Sequence, residues 1–423
     1  DAVEVVALEE IVGRSRRAAA EQPWCALGSV KSQIGHTKAA AGAAGLIKTA
    51  LSLYLKTLPP NVKVATPLPI LTAPGSPFHL STRPRPWLST GPRRAGVSAF
   101  GFGGSNFHCL LEEASPDKPV AEGSLDFEFF AFSGQTPADL ADELSQALST
   151  ESPRLTAAQS RAGFSPSAPC RLILLADGDE FKGLVQRPIT VLTRPDFQPG
   201  DLPGDVFFGQ GPAVADTCGF LLPGPDSAYQ DMFRELALDW PQLHRTLNEA
   251  AGQWAETNPD QPPLDLLLYP PDLASDECRQ AWAVALSAEA PRSLVLRAVC
   301  QGLEEILARF GLRPSAVISC LDTQANIVQE LNRTGYQNID FWLEIGPGDS
   351  LGRQAEDILG RDRVLSLDHD GGTHLDLARL LGRLAALGLP LDLTAWPMPP
   401  FEAALPVENQ AEKTFTMMIS GAN

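Results

Sequence analysis

The sequence lacks any stretch approaching the eighteen or more consecutive apolar residues of a membrane span, so we expect no transmembrane helix. It also has no basic segment followed by an apolar one near its start, so we expect no secretory signal. The seven cysteines form no CxxC pair and mostly lie in apolar runs, which favours reduced thiols in a cytoplasmic protein over disulfides or a metal site. No internal repeat is present. Because the chain opens at Asp1 rather than at methionine, we expect it to be part of a longer protein.

Positive charge is also scarce. The net charge of −18 argues against nucleic acid as a partner. Residues 1–113 nevertheless carry twelve Lys and Arg against seven Asp and Glu, a balance of +5, whereas residues 114–423 carry −23. The first segment is therefore expected to meet an acidic partner, with surface arginines such as Arg93 and Arg94 as contacts. Dispersed, solvated charge is the alternative.

Proline and glycine divide the chain at residues 114–119 and 194–212, and periodicity is lost again from Pro397. At about 150 residues per domain, 423 residues predict two or three domains. Strand and helix patterns alternate along most of the chain, which predicts the α/β class. Helices are predicted at 4–12, from Lys38 onward with Thr37 as N-cap, at 137–148, through the regions 229–257 and 276–310, and at 375–387. The predicted strands are 95–100, 106–113, 129–132, 171–176, 189–193, 219–222, 316–319, 341–345 and 364–367.

The first motif that could carry chemistry is GSVKSQIGHTKAAAG, residues 28–42. His36 stands just before a predicted helix, where the positive end of the dipole favours the neutral imidazole. Such a histidine can accept a proton or donate a hydrogen bond to a developing oxyanion. The small residues after it should let the helix pack closely and bring His36 into a buried site, with Lys31 orienting the network. Spacing alone favours the alternative, a histidine in a polar turn before a packing helix.

The second motif is FGFGGSN, residues 100–106, between two predicted strands. Its glycines permit positive φ and let backbone N–H groups approach a ligand. No Gly-Lys-Ser/Thr follows, so it is not a Walker loop, and two flanking strands exclude a dinucleotide fingerprint. Taken alone, it predicts a hairpin turn.

Together and in this order, the two motifs resemble the C-terminal half of a β-ketoacyl synthase domain from a type I polyketide or fatty-acid synthase. The resemblance runs almost unbroken over residues 1–113. It includes GLIK (45–48), LPPN (58–61), SPF (76–78), RPRPW (83–87) and RRAGVSAFGFGGSNFH (93–108). Gln33, Lys38 and the sequence NFH at 106–108 are most similar to the polyunsaturated-fatty-acid-synthase branch.

This resemblance implies half of a thiolase-like fold and the decarboxylative Claisen condensation of acyl chains with a malonyl unit. His36 would help to decarboxylate the malonyl unit and stabilise the enolate, and Lys31 would support it. Gly101, Gly103 and Gly104 would border the acyl and pantetheine channel, with Phe102 as its gate. Substrates would be malonyl and acyl thioesters on a phosphopantetheine-linked acyl carrier protein, with no cofactor or metal bound directly, and a homodimer would form through the ketosynthase.

The family's nucleophilic cysteine and first histidine are absent and would have to lie upstream of Asp1. Cys25 and Cys109 do not stand in the nucleophile's sequence context. We therefore expect the chain as given to be inactive alone. A non-catalytic scaffold that positions carrier protein or a partner subunit is the alternative.

The acidic remainder resembles a small α/β linker over 114–216 and the remnant of an α/β acyltransferase over 217–397, followed by a linker over 398–423. GFLLPGPDS (219–227), FGLRPSAVI (310–318) and LEIGPG (343–348) carry the acyltransferase resemblance. The catalytic residues of an acyltransferase are missing from this region. Leu321 stands where the serine should be, Pro225 replaces the oxyanion-loop glutamine, and 324–339 is too short for the subdomain with the catalytic histidine and arginine. His369 and His374 lie outside that context, and Cys320 is either a replacement nucleophile or a buried apolar cysteine.

Overall fold

The computed structural model describes residues 2–12, 23–73, 75–101, 103–115, 125–149, 152–176, 181–213, 217–321, 327–332, 336, 338–369 and 371–397. Within these residues the fold is mixed α/β, as the sequence predicts. No helix in this part of the chain combines the length and apolar character needed to span a bilayer. The predicted linker at 398–423 lies outside the described residues.

The helices are α1 (Ala2–Val12), α2 (Lys31–Ile34), α3 (Ala41–Leu55), α4 (Pro137–Ala147), α5 (Pro153–Gly163), α6 (Phe181–Leu192), α7 (Arg234–Asp239), α8 (Pro241–Thr257), α9 (Leu264–Leu268), α10 (Asp276–Leu286), α11 (Glu289–Arg309), α12 (Ile327–Leu331), α13 (Ser350–Leu359) and α14 (His374–Ala386). The strands are β1 (Cys25–Ala26), β2 (Thr57–Leu58), β3 (Phe78–His79), β4 (Arg85–Pro86), β5 (Arg94–Phe100), β6 (Asn106–Glu112), β7 (Glu128–Gly134), β8 (Cys170–Ala176), β9 (Val206–Gln210), β10 (Cys218–Leu222), β11 (Ala316–Ser319), β12 (Phe341–Glu344) and β13 (Val364–Ser366). We call residues 2–115 the N-terminal unit, 125–213 the middle unit and 217–397 the C-terminal unit.

In the N-terminal unit, the predicted hairpin is confirmed. β5 and β6 pair antiparallel from Arg94 opposite Glu112 to Phe100 opposite Asn106. Helix α3 packs on β5 through two glycines: a Cβ on Gly42 would lie 3.1 Å from the Ala99 Cβ, and one on Gly45 would lie 3.3 Å from a Val97 methyl. The small residues therefore bring α3 close to the hairpin. Since residue 42 meets 99 and residue 45 meets 97, α3 runs antiparallel to β5.

The middle unit is an antiparallel sheet in the order β7-β8-β9 with helices on one face. Alternate side chains point to opposite faces of a strand, and both faces are apolar here. Phe130 and Leu172 pack with α4 and α6, whereas Phe129 and Ile173 pack into the core of the C-terminal unit.

The predicted strand at 189–193 is wrong, because its residues end helix α6. The buried side chains Phe181, Val185, Pro188 and Leu192 recur at helical spacing, and this longer period outweighs the short β-branched run. The third strand of the middle sheet is instead β9, inside the region that the sequence marks as loose.

The C-terminal unit is built on a parallel sheet in the order β11-β10-β12-β13. Helices α8 and α11 pack against each other, and Gly302 allows this approach because a Cβ there would lie 2.8 Å from the Leu243 Cα. Helix α14 follows the last strand of this sheet in the chain and packs against strands β8 and β9 of the middle unit. A Cβ on Gly209 of β9 would collide with the Ala386 carbonyl, so only glycine fits at that contact. The middle and C-terminal units thus share one hydrophobic core.

Residues 79–93, which we call the strap, connect the N-terminal unit to the C-terminal unit through hydrogen bonds and ion pairs. Arg83 forms an ion pair with Asp231 at 2.8 Å, and Thr82 hydrogen-bonds to Asp272. Arg85 is 1% exposed and reaches both the Tyr269 carbonyl and Asp265. Burial lowers the pKa of Arg85, and its carbonyl and carboxylate partners are what make a buried guanidinium tolerable.

Candidate active site

His36 lies in the turn between α2 and α3, after Gly35, whose φ of +77° favours glycine. Its ring Nδ1 accepts a hydrogen bond from the backbone N–H of Lys38 at 3.0 Å. An accepting Nδ1 carries no proton, so the proton of the neutral ring is on Nε2. The turn therefore fixes the tautomer that can donate from Nε2.

The backbone conformation of Lys38 makes this hydrogen bond possible. In the sequence, only Gly35 indicates an unusual turn at this place. The Lys38 backbone is left-handed, with φ of +56°, which is rare for a residue with a side chain. That conformation turns the Lys38 N–H toward the His36 ring. Strained, non-glycine backbone of this kind is common where a structure must hold a functional group in one orientation.

The predicted helix start needs correction. A 3₁₀ turn, Lys38–Ala40, precedes α3, and the α-helix itself begins at Ala41. The Thr37 side chain makes no capping hydrogen bond, and its hydroxyl is without a partner among the described residues. The ring of His36 instead accepts the N–H of Lys38, the first residue of the 3₁₀ turn.

The burial expected for His36 is wrong in this structure, since its side chain is exposed. The small residues of α3 are used against β5, not around the histidine. Lys31 is exposed as well, at the start of α2, and within the described parts of the chain no hydrogen bond or ion pair joins its ammonium to His36.

The glycine motif forms the hairpin turn between β5 and β6. The Gly101 N–H donates to the Ser105 carbonyl at 3.0 Å, and the Gly104 N–H donates to the Gly101 carbonyl at 3.0 Å. Gly104 has φ of +83°, and Gly103 has open space around it. Phe102 lies outside the described residues. Two of the three glycine N–H groups are therefore used within the turn, and Gly103 is the open position.

The two motifs lie at the same end of the N-terminal unit. Because α3 runs antiparallel to β5 and Gly42 meets Ala99, the start of α3 is beside the end of β5. His36 precedes the first and Gly101 follows the second. The antiparallel packing thus brings together two motifs that lie far apart in the sequence.

In the C-terminal unit, the corresponding place for a site is the crevice at the carboxyl ends of the parallel strands. Cys320 follows β11 there and is buried, with its N–H bonded to the Leu222 carbonyl at 2.9 Å. The loops close tightly, since a Cβ on Gly224 would lie 3.3 Å from the Cys320 carbonyl oxygen. The Ser319 hydroxyl accepts the Leu321 N–H at 3.3 Å, and among the described residues no hydrogen bond joins it to a histidine or a carboxylate. Pro225 opens a 3₁₀ turn without an N–H to offer.

His369 and His374, near the end of the chain, do not add a catalytic group to that crevice. His374 begins α14 and lies 3.4 Å from Asp239 and 3.6 Å from Glu235, both on α7. Burial lowers its pKa to about 4, so it is neutral at physiological pH. His369 is exposed. One buried carboxyl does lie at the strand ends: Glu344 accepts the N–H groups of Leu351 and Gly352 at the start of α13, and burial raises its pKa to about 7.

Three of the thiols are poor candidates for a nucleophile. Burial raises the pKa of Cys25 and of Cys218 to about 11 and raises that of Cys300 further. The thiolate is the nucleophilic form, so these groups are unreactive near neutral pH. In the described part of the chain, no group of three or more metal-ligating side chains is present.

Arg93 is another correction, because the sequence suggests a surface arginine. It is 3% exposed and forms hydrogen-bonded ion pairs with Glu113 at 2.9 and 3.2 Å. Its neighbour Arg94 is exposed and pairs with Glu112 at 2.6 Å. Alternation along the strand gives the two arginines opposite environments.

Two family models match the first part of the chain. The β-ketoacyl synthase C-terminal domain matches residues 1–65, and the ketoacyl-synthetase C-terminal extension matches residues 74–162.

Similar proteins extend the match into the remainder. Polyketide synthase GfsA of Streptomyces halstedii is 31% identical over 346 residues, which are 75% of this chain and 4% of that protein. A polyunsaturated fatty acid synthase protein of a Thraustochytrium species is 32% identical over 252 residues, 53% of this chain and 9% of that protein. The chain thus spans less than a tenth of the length of these relatives. The acyl transferase domain of ZmaA superposes with a TM-score of 0.50 at 13% identity, covering 65% of this chain and 97% of that domain, which shows a shared fold.

Proposed function

We propose that this chain serves decarboxylative Claisen condensation of an acyl chain with a malonyl unit on an acyl carrier protein. The proposal rests on the order of its regions, which is that of the type I polyketide and polyunsaturated fatty acid synthases: a ketosynthase C-terminal region, its extension and an acyltransferase-like region. The observation that supports this most directly is the Lys38 N–H to His36 Nδ1 bond. It leaves Nε2–H as the donor of the ring, at the end of the N-terminal unit where the glycine loop also lies.

In this proposal, His36 acts on the malonyl thioester. The bond between the malonyl α-carbon and its carboxylate breaks, CO₂ leaves, and the electron pair enters the enolate. Nε2–H donates a hydrogen bond to the thioester oxygen, where negative charge develops, and such preorganised donors lower the barrier. Lys31 supplies positive charge near the path by which the malonyl thioester reaches His36. Gly101, Gly103 and Gly104, with Phe102 as gate, border the channel for the pantetheine arm. The nucleophilic cysteine and the first histidine are assigned to a part of the synthase outside this sequence.

We also propose the domain limits of 1–113 for the ketosynthase region, 114–216 for the linker, 217–397 for the acyltransferase-like region and 398–423 for a second linker. A homodimer through the ketosynthase region and a cytoplasmic location belong to the same proposal. The acyltransferase-like region is assigned a structural role, because Leu321 stands in place of the serine, Pro225 has no N–H, and Cys320 is tightly packed.

One experiment tests both halves of the proposal. The full-length protein that carries this chain is incubated with malonyl carrier protein and with malonyl-coenzyme A. We expect release of CO₂ with formation of acetyl carrier protein, and no malonyl group on peptides from 217–397 by mass spectrometry. Cys320→Ala is the matched control and should change neither result. An adduct on Ser319 or Cys320 would restore an active transferase, and absence of CO₂ would favour the non-catalytic scaffold.

Docking of the carrier protein is expected to depend on salt. Carrier proteins of this family are usually acidic, and residues 1–113 carry +5. Exposed charge pairs are screened over about 8–10 Å at 0.10–0.15 M salt. Affinity measured by titration should therefore fall as salt rises, and Lys38→Glu, beside the site, should weaken docking more than the same change at exposed Lys63. Binding that is equal at low and high salt contradicts this prediction.

A further inference from the structure

A buried polar network joins the N-terminal unit to helix α8 of the C-terminal unit. Glu113 accepts from Arg93 and lies 3.2 Å from the Lys56 ammonium, and all three side chains are less than 10% exposed. Burial opposes ionisation of Glu113, but the hydrogen bonds from Arg93 outweigh it and lower its pKa. Two cations and one carboxylate leave a positive excess, so the network needs further acceptors.

Helix α8 supplies one of those acceptors. The Asn248 side-chain oxygen accepts from Arg93 Nη2 at 3.0 Å and from the backbone N–H of Ser89, in the strap, at 2.9 Å. His244, one turn earlier on α8, is 4% exposed and lies near the Arg93 and Lys56 charges. Burial and the nearby Arg93 and Lys56 charges lower its pKa to about 3, so it adds no third positive charge.

The network holds one end of each of three elements. Lys56 ends α3 with a left-handed backbone of φ +51°, Arg93 immediately precedes β5, and Glu113 immediately follows β6. The opposite ends of the same three elements carry His36 and the glycine loop. A fifteen-residue helix is about 22 Å long, and a seven-residue strand about 23 Å. The three elements pack against one another as one layer, and the network joins them at the end away from the site.

We propose that Asn248 is a positioning residue for the ketosynthase site: through Arg93 and Glu113 it sets the placement of α3 and the β5–β6 hairpin, and thereby of His36 and the glycine loop. This inference rests on the proposed function. It gives the acyltransferase-like region a role that needs no serine, histidine or arginine of its own. The region retains helix α8, and α8 holds the layer on which the condensation site is built.

The test compares Asn248 variants in the full-length protein. Asn248→Ala removes the acceptor and leaves partly buried N–H groups of Arg93 and Ser89 without it. A displacement of about 1 Å at a reacting centre can cost about 10²-fold. We therefore expect kcat for decarboxylation of malonyl carrier protein to fall roughly 10- to 100-fold, with KM for the carrier unchanged. Asn248→Asp keeps the Oδ1 acceptor and should restore most of kcat.

The matched control is Arg83→Ala, which breaks another tie between the same two units, the ion pair with Asp231, without touching the network. It should leave kcat within about twofold of the parent. An Asn248→Ala protein with unchanged kcat overturns the inference, as does an equal loss in Arg83→Ala. The His36→Ala protein keeps the two proposals apart: if it too is fully active, the proposed function fails, whereas if it alone is inactive, only the role of Asn248 fails.

Discussion

Replacing His36 by alanine is expected to lower decarboxylation of malonyl carrier protein by roughly 10²–10⁴-fold in the full-length protein, the usual contribution of a positioned acid–base group. The variant loses the Nε2–H donor and also the Nδ1 acceptor of the Lys38 N–H. Since the side chain is exposed and one hydrogen bond is worth about 0.5–1.5 kcal/mol, the protein should remain folded. CO₂ release is the measurement, with circular dichroism and the melting temperature as checks on the fold.

Two further variants distinguish the roles of the two ring nitrogens of His36. His36→Asn places an oxygen near the position of Nδ1, so it can still accept from the Lys38 N–H but offers no donor at Nε2. His36→Gln places an amide N–H near Nε2 and lacks the acceptor. We expect asparagine to keep the melting temperature without activity and glutamine to keep part of the activity. Full activity in the asparagine variant would assign His36 to the turn alone.

Replacing Trp396 by alanine is expected to cost about 3–5 kcal/mol of stability, the usual range for truncating a buried aromatic side chain. Trp396 is 3% exposed, and its ring centroid lies 5.3 Å from that of Phe129 in the middle unit. On the C-terminal unit it lies 6.0 Å from Trp240 and 6.2 Å from Phe310. The side chain therefore fills the core that the two units share, and its loss leaves a cavity in both.

Urea unfolding, followed by circular dichroism, measures this loss as a lower midpoint. Trp396→Phe keeps a ring in the cluster and should lose less than half as much. Trp24, which is 42% exposed in the N-terminal unit, provides the matched control, and Trp24→Ala should change stability by less than about 1 kcal/mol. Equal midpoints for Trp396→Ala and Trp24→Ala would show that the shared core does not depend on Trp396.

Strong local patterns were enough to predict much of this protein from its sequence. The strands predicted at 95–100 and 106–113 form the hairpin, and the glycines between them allow the turn. The helix predicted at 137–148 is α4, and the structure shows that Thr136 caps it together with Asp139 three residues on. The residue types at positions 225 and 321, a proline and a leucine, are also given by the sequence, and the proposed structural role of the acyltransferase-like region rests on them.

Only the tertiary structure decides which side chains meet. Arg93 and Arg94 are adjacent in sequence, yet one is buried against Glu113 and Asn248 while the other is exposed, because α8 covers only one side of the hairpin's base. The tautomer of His36 depends on the left-handed backbone of Lys38, which no propensity predicts for lysine. Residues 189–193 have strand-forming side chains, but the burial of one helical face from Phe181 to Leu192 makes them a helix. Sequence determined most of the elements here, because they depend on residue type and local spacing. Long-range packing determined exposure, pairing and protonation, because these depend on neighbours that can lie 190 residues away along the chain.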